Sequence, residues 1–190
     1  MDQIATKLLI RTAITNKKIE VTPKISSSLS QLKRRKCKAF EKEILKVKFK
    51  INSFQLGHVI ESSRIRIGSK IFHSKIYNRK GSINSYTICF DNKNKTEFGE
   101  IQYFFEHEEQ VFAKLNVFTN LNNYVQPEKI TSYFYEIFEK LYNQFYYLVD
   151  KDKCREDIIL ADEIKNKCIM INYMKNVYHV TNVVYDYEHD

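Results

Sequence analysis

The sequence predicts an α+β fold. This is a small, β-rich, partly open antiparallel barrel or bent sheet, with a covering helix and a basic helical N-terminal extension. Three observations predict it. Between residues 64 and 117, apolar and polar residues alternate in short runs parted by turn clusters, as half-buried strands do. One stretch, 127–145, instead repeats apolar residues at helical spacing. The 190 residues, 43% hydrophobic and 14% aromatic, suffice for one core and exclude wholesale disorder. Four Gly and two Pro exclude collagen-like, linker-like and Gly-rich phosphate-loop architectures. No run approaches the ~18 consecutive apolar residues of a membrane-spanning helix.

The elements follow in order. Residues 1–48 read as the basic extension. Ile4, Leu8, Leu9 and Ile14 share a face of a short helix over 3–15, and the stretch 17–30, with Pro23 and Ser26 to Ser28, reads as a connector. Leu29, Leu32, Phe40, Ile44 and Val47 then keep a 3.6 period, predicting an amphipathic helix flanked by Lys33, Arg34, Arg35, Lys36 and Lys38. Its end is open to an extended reading, because Val47, Phe49 and Ile51 alternate with Lys48 and Lys50.

Residues 49–190 read as the barrel-like domain. Ile65 and Ile67 alternate with Arg64 and Arg66; Phe72, Ser74 and Ile76 alternate with Ile71, His73, Lys75 and Tyr77. A turn over 78–82 leads to Tyr86, Ile88 and Phe90, and a second over 91–95 leads to Gly99, Ile101, Tyr103 and Phe105. Glu106 to Glu109 closes that hairpin, and Val111, Ala113, Leu115 and Val117 return. Four such consecutive segments predict an antiparallel meander, half buried. Gly99 would permit a bend or a close strand approach. Pro127 can open a helix, over which Ile130, Phe134, Ile137, Phe138, Leu141 and Phe145 form one stripe. Short strands are expected over 145–149, 157–160, 168–173 and 177–180, before an acidic end at 186–190. The expected core adds Ile76, Phe134, Phe138, Leu141, Ile169 and Ile171 to the inward residues of the meander.

The net charge of +8 hides an asymmetry. Residues 1–80 hold 20 Lys and Arg against 5 Asp and Glu, a net +15; residues 81–190 hold 11 against 18, a net −7. Such a split points to nucleic-acid or membrane-surface contact by the basic part, or to neutralisation of one half by the other. Cys37, Cys89, Cys154 and Cys168 lack zinc-ligand spacing. With no signal-peptide pattern they suit a reducing, intracellular location, two disulfides being the alternative for a secreted chain.

Catalytic constellations are sparse. None of His58, His73, His107, His179 and His189 sits in a hydrolase or metalloprotease motif. Glu97, Glu100, Glu106, Glu108 and Glu109 read as a solvated acidic loop rather than a carboxylate pair, Glu108-Glu109 being turn chemistry. A metal-dependent nuclease or small hydrolase using scattered carboxylates with His73 or His107 is the rival class. The sharpest feature is Lys33-Arg34-Arg35-Lys36-Cys37-Lys38, whose adjacent cations must face solvent or an anion. It reads as a nuclear-import segment, a phosphate-contacting face or a solvated surface. Arg64, Arg66, Lys70, Lys75, Arg79 and Lys80 extend the positive character onto the first strands. There Tyr77 and Tyr86 would set aromatic faces beside cations, as proteins that bind single-stranded bases do.

Several segments carry a family resemblance. They are Ile71-Phe72-His73-Ser74-Lys75-Ile76-Tyr77-Asn78-Arg79, Asn84-Ser85-Tyr86-Thr87-Ile88-Cys89-Phe90, Phe98-Gly99-Glu100-Ile101-Gln102-Tyr103-Phe104-Phe105 and Val111-Phe112-Ala113-Lys114-Leu115. Ile164 to Ile171 and Asn182 to Asp186 complete the set. In this order they resemble the carboxy-terminal β-rich module of transposon-encoded, transposase-associated proteins, and more loosely a bromo-adjacent-homology domain. The resemblance transfers no catalytic residue and implies no cofactor. The chain lacks the preceding catalytic region of a full transposon protein, so transposition is not expected of it. The expectation is a non-enzymatic, nuclear module derived from a mobile element, with the cytoplasm as alternative location. Its basic half would contact nucleic acid, DNA in preference to RNA, and its barrel would bind chromatin proteins, without a membrane. A plain protein-interaction domain is the third reading.

Overall fold

The computed structural model describes residues 32–52, 57–77, 86–93, 95–121 and 147–183. The helices expected over 3–15 and 127–145, the acidic end, and Arg79 and Lys80 lie outside them, as do Phe134, Phe138 and Leu141. The elements are β1 (Lys33–Lys36), α1 (Ala39–Phe49), β2 (His58–Ser62), β3 (Arg64–Ile67), β4 (Lys70–His73), β5 (Thr87–Asn92), β6 (Lys95–His107) and β7 (Gln110–Asn120). Then come β8 (Tyr147–Leu160), a 3-10 turn (Ala161–Glu163), β9 (Ile164–Met174) and β10 (Val177–Asn182).

Eight strands form one antiparallel sheet in the order β1-β2-β6-β5-β9-β10-β8-β7, and β7 also pairs with β6. The path from β5 through β6, β7, β8, β10 and β9 thus returns to β5, so the bent sheet is partly ring-closed without being a barrel. The β-rich, partly open α+β architecture expected from the alternation is therefore the one found. The long strand β6 is the hub. Residues 95–100 pair with β5, residues 104–106 pair with β2, and β7 runs along residues 99–107.

Turn chemistry sets these hairpins. Glu108 and Glu109 both take positive φ, 48° and 63°, between the paired His107 and Gln110. A two-residue connection of that hand matches the twist of the flanking strands. Lys93 (φ 48°) and Asn176 (φ 65°) turn the chain after β5 and before β10.

Three parts of the expected pattern need correction. The helix over residues 29–47 is two elements in its described part: Lys33–Lys36 is strand β1, in register with His58 to Glu61, and the helix begins only at Ala39. The Glu41 carboxylate fixes that start by accepting the Lys38 N–H at 2.7 Å. Lys50, in the left-handed region with its N–H bonded to the Leu45 carbonyl, ends the helix, and Val47 faces solvent. The meander holds for three segments, β5, β6 and β7; the Phe72 segment pairs instead with Arg64–Ile67 as a separate two-stranded hairpin. It stops at His73, which leaves Ile76 on an exposed turn. The strand expected over 157–160 and the described part, 147–149, of that expected over 145–149 are the two ends of the single strand β8.

Because β6 and β7 are covered on both faces, the half-buried expectation is exceeded there. One cluster, with Ile65 and Phe72 of the hairpin, Ile88, Ile101, Phe104 and Leu115, lies on one face. On the other, Leu45 of α1 meets Val59, Tyr103, Phe105, Phe112 and Ile158, and Cys37 joins them. A third cluster holds Cys89, Phe98, Phe118, Val149, Cys168 and Val180. Ile169 and Ile171, expected inside, point outward at 52% and 50% exposure, because Cys168 takes the inner face of β9.

All four cysteines are free, and only Cys154 is exposed. Burial and the neighbouring Glu41 charge push the Cys37 thiol up to about 11. We expect one thiol to react with a colorimetric disulfide reagent in the native protein at neutral pH, and four in denaturant. Rapid reaction of Cys37 would contradict this packing.

Candidate nucleic-acid interface

The basic run is split by strand alternation, which sends neighbours to opposite faces. Arg35 turns inward across α1. Its Nη1 donates to Glu41 Oε2 at 2.8 Å, its Nη2 to Oε1 and its Nε to Glu61. Glu41 has no exposed surface and also accepts the Tyr103 hydroxyl at 2.8 Å. Burial opposes ionisation of Glu41, but the bonds from Arg35, Lys38 and Tyr103 outweigh it and hold the carboxyl below its ordinary range. The same burial opposes the Arg35 charge and is again overcome, by Glu41 and Glu61. Desolvation and Glu41 raise the Tyr103 hydroxyl. Arg35 is therefore a structural cation. Lys38 sits over the Tyr103 ring at 4.5 Å from the centroid. Lys33, Arg34 and Lys36 are exposed, and among the described residues none of them makes an ion pair.

The β3–β4 hairpin carries the second basic group. Arg64 and His73 face each other across it, and Tyr77 follows one turn later. The His73 and Tyr77 rings stack at 4.5 Å and 6° between planes. The Arg64 guanidinium lies 5.3 Å from the Tyr77 centroid, and its Nη1 donates to the Tyr77 hydroxyl at 3.3 Å. Among the described residues, the buried Arg64 Nε has no hydrogen-bond partner. Arg66, next on the same strand, is exposed and outside any ion pair among the described residues. Cation and ring faces thus meet, as the sequence suggested for Tyr77. Tyr86 lies elsewhere, near Lys151. Lys70 donates to Asn166 at 3.0 Å and Lys75 pairs with Glu100 at 3.3 Å, so both are engaged within the fold.

The ion pairs decide how far the two halves neutralise each other. Lys48–Asp157 and Lys75–Glu100 cross between them. Among the described residues, further pairs stay within the second half: Glu156 with Lys114, Glu97 with Arg155, Asp91 with Lys165, Asp150 with Lys153, and Glu100 with Lys151 as well. Among the described residues, Lys33, Arg34, Lys36 and Arg66 make no ion pair.

Glu100, a carboxylate of the rival hydrolytic reading, is buried between Lys75 and Lys151. His107 lines a cleft of about 260 Å³ with Arg34, His58, Ile60, Glu106 and Glu108. Its buried Nε2 has no hydrogen-bond partner among the described residues and lies 3.7 Å from Glu108 Oε1. This cleft was not legible in the sequence, since His58 and His107 stand on strands far apart along the chain. Among the described residues, no group of three or more His, Cys, Asp or Glu could hold a metal ion, and no helix is long and apolar enough to cross a membrane. No protein-family model, no curated protein and no solved structure matches this chain.

Proposed function

We propose that the protein is a non-enzymatic nucleic-acid-binding module that takes up a single strand, DNA in preference to RNA, at the β3–β4 hairpin. The observation that carries this reading is the Arg64, Tyr77 and His73 assembly, with the exposed Arg66, which makes no ion pair among the described residues, beside it. Bases stack on such ring faces regardless of sequence, while adjacent cations contact phosphates. Lys33, Arg34 and Lys36 add to the attracting field. The resemblance to transposon-derived modules supports DNA and a nuclear setting. The engagement of Glu100 by two lysines supports a binding role over hydrolysis.

Fluorescence anisotropy with a labelled twelve-nucleotide oligo-dT, and oligo-rU for comparison, tests this. Affinity should fall steeply with salt, because counterion release dominates phosphate contacts. Tyr77→Ala should weaken binding about tenfold at fixed salt, the loss expected of one stacked base. Arg66→Ala should flatten the log–log salt slope by roughly 0.7. Absence of binding at low salt, or binding indifferent to salt, would sink the reading.

A further inference from the structure

We propose that the outer edge of β1 is a docking site for an acidic, extended protein segment, which joins the sheet as one more strand. The inference stands apart from the hairpin and does not depend on nucleic-acid binding. It starts from topology. Partial ring closure gives every strand of the eight-stranded sheet a neighbour on both sides except β1, which among the described residues is paired only with β2. An edge left open is a template for strand addition.

The backbone register says which groups are open. The Cys37 N–H donates to the Gly57 carbonyl at 3.3 Å, continuing the pairing of Lys36 with His58. Bonding alternates along an antiparallel ladder, so Cys37, Arg35 and Lys33 turn their backbone groups toward β2, and Arg34 and Lys36 turn theirs outward. The Lys36 carbonyl accepts Arg35 Nη1 at 3.1 Å. Among the described residues, the Arg34 N–H and C=O and the Lys36 N–H remain for a partner. The template is also held in shape, because Arg35 ties the middle of β1 to Glu41 of α1 and Glu61 of β2; a preformed edge spares an incoming strand part of the ordering cost.

Charge selects the partner. The Arg34 and Lys36 side chains share one face, that of Ile60 and His58 in the register, and both are exposed. Lysine and arginine on an edge repel basic strands and disfavour apolar ones, which would desolvate the cations, and they favour a strand with carboxylates at positions i and i+2, which fall on one face. A basic peptide of histone-tail type is excluded by the same sign.

The probe is a fluorescein-labelled eight-residue peptide in which Glu and Thr alternate, titrated by anisotropy into the full chain. Saturable binding is expected, with the Arg34 and Lys36 amides gaining protection from hydrogen exchange. Arg34→Glu with Lys36→Glu should weaken binding at least about tenfold. A peptide of identical sequence with its edge-facing amides N-methylated should also bind markedly less, since the bond to the Arg34 carbonyl goes and the methyl groups hold the two backbones apart. Tyr77→Ala should leave peptide binding unchanged. Equal binding of the N-methylated peptide, or no added protection at Arg34 and Lys36, overturns strand addition. Oligo-dT binding that is lost with Arg34→Glu/Lys36→Glu and untouched by Tyr77→Ala would assign the edge to nucleic acid and overturn it too.

Discussion

Replacing Arg35 with alanine is expected to lower the free energy of unfolding by about 3 kcal/mol, measured by urea denaturation at neutral pH. The variant leaves the Glu41 carboxylate, which has no exposed surface, without its bidentate cation, although the Lys38 N–H and the Tyr103 hydroxyl still donate to it. Those two bonds put the loss at the lower end for a broken buried pair. Arg34→Ala, one residue away on the exposed face, should shift stability by no more than about 0.5 kcal/mol. Acid gives a second signature. In the wild type the Glu41 pKa is lowered, so its stabilisation is complete above the ordinary value of 4.5 and is lost as pH falls through the folded-state value. In the variant, burial without Arg35 raises that pKa instead, and the penalty is relieved as pH falls. The gap between the two proteins should therefore narrow from pH 7 toward pH 4. Lysine at position 35 should restore only part of the loss, because an ammonium cannot reproduce the two-pronged contact. A loss under about 1 kcal/mol for Arg35→Ala would show that the network does not hold β1 and α1 together.

The second large effect is expected at Gly99. A Cβ there would stand 2.7 Å from the Asn116 carbonyl oxygen, 3.2 Å from Val117 Cα and 3.3 Å from Asn116 C, all backbone atoms of β7. Gly99 is also paired with Ile88 on its other side, so β6 has no free direction in which to move. Gly99→Ala should cost about 3 kcal/mol, the upper range for overpacking. Gly68→Ala is the control: its φ of 60° disfavours any side chain, yet nothing lies within 4 Å of the added methyl. It should cost about 1 kcal/mol. Thermal or urea denaturation ranks the two, and a milder effect at Gly99 would refute the close approach of β6 and β7.

What could be read in advance follows the range of the forces involved. The strands β5 to β7 were legible because alternation and turn residues are local, and Gly99 was legible as a close approach because glycine inside a strand has few other uses. The basic run was misread for an equally physical reason. Leu29, Leu32, Phe40 and Ile44 keep a helical period across a boundary that Glu41 sets, and Glu41 does so with partners as distant as Tyr103, 62 residues on. Alternation in β9 showed two faces but could not say which was inner, so Ile169 and Ile171 were placed inside where Cys168 belongs. In the candidate site, Arg64, Arg66 and Tyr77 were identifiable by type. That His73 would stack on Tyr77 was not, because Tyr77 reaches it from a turn past the end of β4.

The partly closed ring also bears on how this chain can change over generations. In an open sheet an inserted residue slides one strand and disturbs one or two registers. Here each of the six ring strands is held on both sides, so a slip must be matched around the whole circuit or be absorbed where pairing is already irregular. Such places exist at Cys89/Phe90, Ile101/Tyr103, Phe118/Thr119 and Val177/Tyr178. Gains and losses of length within the strands are therefore expected at these bulges.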